Sequence, residues 1–137
     1  MIVKGVILTP LKVIDNPKGD ILHGIKKTDQ GYSDFGEAYF SKLNFGEIKG
    51  WTKHERMTLN LIVPVGKVFF VVYNKISFFE VTLSIDNYQR LTLPSGLWLA
   101  FKGLANESSL ILNVANIVHE QNEMKKIDLD KISYKWD

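Results

Sequence analysis

The chain contains no cysteine, so disulfide staples and thiolate chemistry are both excluded. It also lacks any apolar run approaching the ~20 residues that a membrane-spanning helix needs. Lys4, Gly5 and Pro10 interrupt the apolar start, and no secretory signal peptide is expected. Neither sign of charge dominates. Seventeen basic residues stand against fifteen acidic ones, a net charge of +2, and they are interspersed rather than gathered into a stripe, so the electrostatic footprint of a nucleic-acid partner is missing. The three histidines, His23, His54 and His119, form no close His-x-His pair, and neither a metal nor another cofactor is expected. A Gly-rich phosphate loop and a nucleophile elbow are likewise missing, which removes support for nucleotide hydrolysis and for serine-hydrolase chemistry. These absences point to a cytoplasmic protein that binds neither nucleic acid nor membrane.

What is present is material for a core. Of 137 residues, 45% are hydrophobic and 12% aromatic, enough for one domain over residues 1–137. Val, Ile, Phe and Tyr recur in short bursts between turn signals, a pattern of many strands rather than of helices. Strands are predicted over 2–8, 20–26, 36–45, 48–54, 58–63, 67–73, 77–85, 88–93, 97–101 and 109–119. Turns are predicted at Asn16-Pro17-Lys18-Gly19, Pro64-Val65-Gly66, Asp86-Asn87, Pro94-Ser95-Gly96 and Ala105-Asn106. This spacing predicts an all-β sandwich or jelly roll. The tail from Glu120 to Asp137 is polar, with apolar residues at Met124, Ile127, Leu129, Ile132 and Trp136, and is expected to pack back on the barrel, with room for a short helix.

Strand alternation groups the candidate chemistry. Thr52 and His54 share one face, as do Glu37, Tyr39 and Ser41 on an earlier strand. A neutral imidazole is suited to removing a proton from carbon next to a carbonyl. The plain alternative is that His54 ends an ordinary strand beside Lys53, Glu55 and Arg56, and that Glu37, Tyr39 and Ser41 form the solvated face of a half-buried strand. Trp51 and Trp98 read as packing residues.

Several segments resemble the sugar-nucleotide cupins, the family of the dTDP-4-dehydrorhamnose 3,5-epimerases and the dTDP-4-keto-6-deoxyglucose 3,4-ketoisomerases. Gly5-Val6 followed by Pro10, Asp15 and Gly19 is similar to the family's opening strand and turn, with one extra residue between the Asp and the Gly. Lys49-Gly50 stands where the family usually has Arg-Gly, and Leu59 to Gly66 resembles the apolar strand that follows. Leu93-Pro94-Ser95-Gly96 resembles an Ile-Pro-x-Gly turn, and Asn116 with Ile132-Ser133-Tyr134-Lys135-Trp136 resembles the closing segment. The resemblance implies a cupin jelly roll, normally a homodimer, whose interior binds a nucleotide-linked 4-keto sugar.

The departures bear on chemistry. The position of the epimerases' base histidine is Thr52, whereas His54 matches the second histidine of the ketoisomerase pattern Arg-Gly-x-His-x-His. A histidine after the Pro-x-Gly turn is replaced by Leu99, the family lysine corresponds best to Asn60, and an aromatic near Leu112 is missing. The resemblance therefore implies His54 as base, Tyr39 as acid, and Glu37 as a carboxylate that orients or replaces His54. Lys49 and Arg56 would hold the diphosphate, with Thr52 and Asn60 as further substrate contacts. Two functions follow: an epimerase or ketoisomerase of a nucleotide-linked 4-keto-6-deoxy sugar, or a cupin that lost its chemistry and serves as a sugar-nucleotide binding module or structural homodimer.

Overall fold

The computed structural model describes residues 3–137. Twelve strands are present among them: β1 (Ile7–Pro10), β2 (Val13–Ile14), β3 (Ile21–Leu22), β4 (Glu37–Leu43), β5 (Ile48–His54), β6 (Leu59–Val65), β7 (Lys67–Tyr73), β8 (Phe78–Ser84), β9 (Gln89–Leu93), β10 (Trp98–Gly103), β11 (Ser109–Ala115) and β12 (Met124–Lys126). Two five-stranded antiparallel sheets form the body, in the orders β1-β9-β6-β11-β4 and β12-β5-β10-β7-β8, while β2 and β3 make a separate ribbon. The fold is the predicted all-β cupin jelly roll. The strand expected from Ile2 begins outside the described residues. Its remainder starts late, because Lys4 and Gly5 form a turn and Gly5 has φ +89°.

The period-2 pattern explains how the sheets meet. Val68, Phe70 and Val72 of β7 face inward and pack with Leu59, Leu61, Val63, Leu91, Leu99 and Ile111 in the main core. The intervening Phe69, Val71 and Tyr73 face outward on the second sheet, where Trp51, Trp98 and Ala100 form a second cluster. That outer face is covered by the tail: Ile127, Leu129, Ile132, Tyr134 and Trp136 lie against it, with Trp51 and Trp136 ring centres 5.8 Å apart. Both Trp51 and Trp98 are packing residues, buried in this cluster. The tail thus packs back on the barrel as expected, and it holds a short helix. It enters as β12, paired with β5, and its helical content is one 3₁₀ turn at Leu129–Lys131. Among the described residues no helix is long and apolar enough to cross a membrane.

Candidate active site

The site occupies the end of the sandwich where β4, β11 and β6 of one sheet face β12, β5 and β10 of the other. Gly50 lets β5 run close to β10, because a Cβ there would collide with Ala100. Beyond it, Thr52 and His54 turn inward on β5, with Leu99 and Phe101 beside them on β10. The opposite sheet supplies Tyr39 and Ser41 from β4, Ile111 and Asn113 from β11, and Leu59 and Leu61 from β6; Met124 of β12 closes the side. The cleft has a volume of about 140 Å³. His54 and Tyr39 thus face one space from opposite sheets.

His54 is held by a residue from the tail. Its Nδ1 lies 2.7 Å from Oε1 of Glu123, whose side chain is fully buried. The other carboxylate oxygen, Oε2, accepts the backbone N–H groups of Arg56 at 3.0 Å and Met57 at 2.8 Å. Burial pushes the Glu123 carboxyl up, but the hydrogen bond with His54 and the two backbone donors outweigh it, so the group sits below its ordinary value and is ionised at neutral pH. An ionised carboxylate only accepts, so Nδ1 of His54 carries the proton and donates it, leaving the Nε2 lone pair free as a base.

Tyr39 is fixed from the facing strand. Nδ2 of Asn113, its direct register partner, donates to the phenol oxygen at 3.0 Å. A second cleft, about 370 Å³ and lined by Ile48, Lys49, Gly50, Thr52, Phe101 and Lys126, shares Thr52 and Phe101 with the first. Lys49 Nζ is held at its rim, donating to Ser41 Oγ at 3.0 Å and to the carbonyl of Lys42 at 2.8 Å. The combination offers a base and a phenolic donor in one apolar-walled cleft, with two cations lining the adjoining one.

No family model and no curated protein matches the chain. Among solved structures it is similar to a dTDP sugar isomerase from Desulfovibrio desulfuricans G20, with 32% identity over 98% of this chain and 92% of that one and a TM-score of 0.92. The chain belongs to the sugar-nucleotide cupin family. Similar folds are a dTDP-4-dehydrorhamnose 3,5-epimerase from Sulfolobus tokodaii, with 20% identity over 98% of this chain and 83% of that one at TM-score 0.82, and a sugar 3,4-ketoisomerase from Thermoanaerobacterium thermosaccharolyticum, with 17% identity over 95% and 93% at TM-score 0.79.

In this cupin the expected residues divide. His54, Tyr39 and Thr52 share the first cleft, and Lys49 lines the adjoining one. Glu37 opens β4 outside both linings, and the carboxylate on His54 is Glu123 instead. Asn60 points the other way, because Leu59 and Leu61 are the inward residues of β6. Its Nδ2 donates to the carbonyl of Gly31, and its Oδ1 accepts from Arg90 and Thr92 on the outer side of the sheet. Arg56 pairs with Glu120 at 2.7 Å, both more than half exposed, and lines neither cleft. Sequence reasoning missed Glu123, Asn113, Met124 and Lys126. Alternation along β11 would have turned Asn113 inward with Ile111, but nothing separates Glu123 from the polar residues Glu120, Gln121 and Asn122 beside it.

Proposed function

We propose that this cupin is an isomerase of nucleotide-linked 4-keto-6-deoxy sugars that works by proton abstraction next to the carbonyl, as an epimerase or a 3,4-ketoisomerase. The observation that carries the reading is the His54–Glu123 pair opening onto a cleft that also holds Tyr39. Nε2 of His54 removes the proton, Glu123 stabilises the imidazolium that results, and Tyr39 supplies a proton to the enolate. The walls Leu59, Leu61, Leu99, Ile111 and Met124 suit a sugar that has lost its 6-hydroxyl. Lys49 and Lys126 in the adjoining cleft give the diphosphate its counter-charge, Lys49 without the two-pronged grip of an arginine. The similarity to a dTDP sugar isomerase favours dTDP as the nucleotide.

The pocket supports catalysis over the purely structural alternative, since leucines at the inner positions narrow the space between the sheets without filling it. A homodimer fits the outer face of the first sheet. There β4 is an edge strand, Phe40 is 62% exposed beside its register partner Leu112, and Phe35, Val65 and Val118 are also exposed.

The test is turnover of a panel of dTDP-linked 4-keto-6-deoxy sugars followed by proton NMR. An inverted centre next to the carbonyl identifies an epimerase, and a carbonyl moved to the 3-position identifies a ketoisomerase. Binding of these sugars without any turnover supports the binding-module reading instead.

A further inference from the structure

Ser109, Ile111, Asn113 and Ala115 alternate along β11 and are all buried, and of these Ile111 and Asn113 line the cleft. An amide in such a place is unfavourable unless its groups are bonded. Oδ1 of Asn113 accepts the backbone N–H of Asn60 at 3.1 Å, and this fixes which end of the amide is oxygen. Nδ2 then donates one hydrogen to the phenol oxygen of Tyr39. The second Nδ2 hydrogen and the hydroxyl hydrogen of Tyr39 have no acceptor among the described residues, although both side chains line the cleft.

Abstraction next to a carbonyl leaves negative charge on the carbonyl oxygen, and a site of this kind needs donors aimed at it. No lysine or arginine lines this cleft, and Asn60, the residue aligned with the family lysine, is engaged on the far side of its strand. We propose that Asn113 takes that part: its free N–H and the Tyr39 O–H together form a two-donor site for the enolate oxygen. The inference rests on the function proposed above. His54 Nε2 takes the proton, the C–H electron pair becomes the C=C bond, and the carbonyl π pair moves onto oxygen, where the two hydrogens meet it. Asn113 also aims Tyr39. By occupying a lone pair of the phenol oxygen, it leaves the hydroxyl hydrogen to the substrate.

The experiment compares N113D, Y39F and the double variant with wild type, using the sugar nucleotide that wild type turns over, with dTDP affinity measured by calorimetry. Aspartate keeps the acceptor for Asn60 but removes both donated hydrogens and draws the Tyr39 proton to itself. N113D should lose about 10²–10³ in kcat, with KM and dTDP affinity nearly unchanged. The double variant should be little worse than the poorer single variant, because the two donors act as a unit. An N113D enzyme within about threefold of wild-type kcat, or one whose whole loss falls in KM, overturns the assignment while leaving the isomerase reading intact. A wild type that turns over no sugar overturns both. If N113D does not fold, N113L is read by the same criteria, alongside Y39F, which removes the cleft hydroxyl and keeps the ring.

Discussion

Nδ1 of His54 and Oε1 of Glu123, 69 residues apart in sequence, meet at 2.7 Å where the tail pairs with β5. Both Glu123 oxygens are committed, one to the imidazole and the other to two backbone N–H groups. Glutamine cannot satisfy both, since one end of its amide is a donor. In Glu123→Gln the oxygen faces the backbone donors and the NH₂ faces His54, which moves the ring proton to Nε2 and removes the base. The expected loss is about 10²–10⁴ in kcat with the fold retained, measured by steady-state kinetics beside circular dichroism.

The same pair sets an acid limit to stability. Despite its burial, the Glu123 carboxyl lies below the ordinary glutamate value because His54, Arg56 and Met57 donate to it. Its stabilisation is therefore fully present above the unfolded-state value of ~4.3 and is lost as pH falls through the lower folded-state value. Urea midpoints measured from neutral pH downwards should drop in this acid range, and Glu123→Gln should lessen that drop. An identical acid limb in the variant contradicts the assignment.

Trp136 clamps the tail that delivers Glu123. It packs on Trp51 at 5.8 Å and edge-on to Phe69 at 6.2 Å, while the Tyr134 hydroxyl donates to Glu80. Trp136→Ala should cost about 2 kcal/mol of unfolding free energy, read from urea denaturation. An unchanged midpoint means that the tail does not depend on this cluster.

Arg90 is fully buried and stitches the segment after β3 to the first sheet. Its guanidinium donates to the carbonyls of Gly24 at 2.8 Å and Gln30 at 3.0 Å, to Asp29 at 3.2 Å and, through Nε, to Asn60 Oδ1 at 3.1 Å. Arg90→Met removes every one of these donors and leaves their acceptors behind. The expected destabilisation is about 3–5 kcal/mol, checked by chemical denaturation.

Phe40 tests the proposed dimer. Phe40→Asp places a charge on the exposed face of β4 without touching the core, so light scattering should report a smaller oligomer than wild type at equal concentration and an unchanged melting profile for the protomer.

The strands were legible because alternation and turn chemistry are local. Residues 48–54 and 67–73 form strands with the boundaries the pattern predicted, and Thr52 and His54 share a face as a two-residue period requires. The turn expected at Pro64-Val65-Gly66 is confined to its last residue, since Pro64 and Val65 lie within β6 and Gly66, at φ +91°, makes the reversal. The candidate site was legible only where it lies on long strands. Glu123 sits just before a three-residue strand, and its burial depends on pairing between Met124 and His54, a contact with no local signature. Asn60 was misplaced for a related reason: likeness to a family position does not say which face of β6 the residue occupies, whereas the inward Leu59 and Leu61 do.

In the proposed reaction His54, oriented by Glu123, removes a proton next to a sugar carbonyl. Wild type, His54→Ala and Glu123→Gln should be incubated in deuterated water with a dTDP-linked 4-keto-6-deoxy sugar, and deuterium uptake next to the carbonyl followed by NMR. Deuterium should enter with wild type, stay at background with His54→Ala and enter far more slowly with Glu123→Gln. Uptake at the wild-type rate in His54→Ala would rule out His54 as the base.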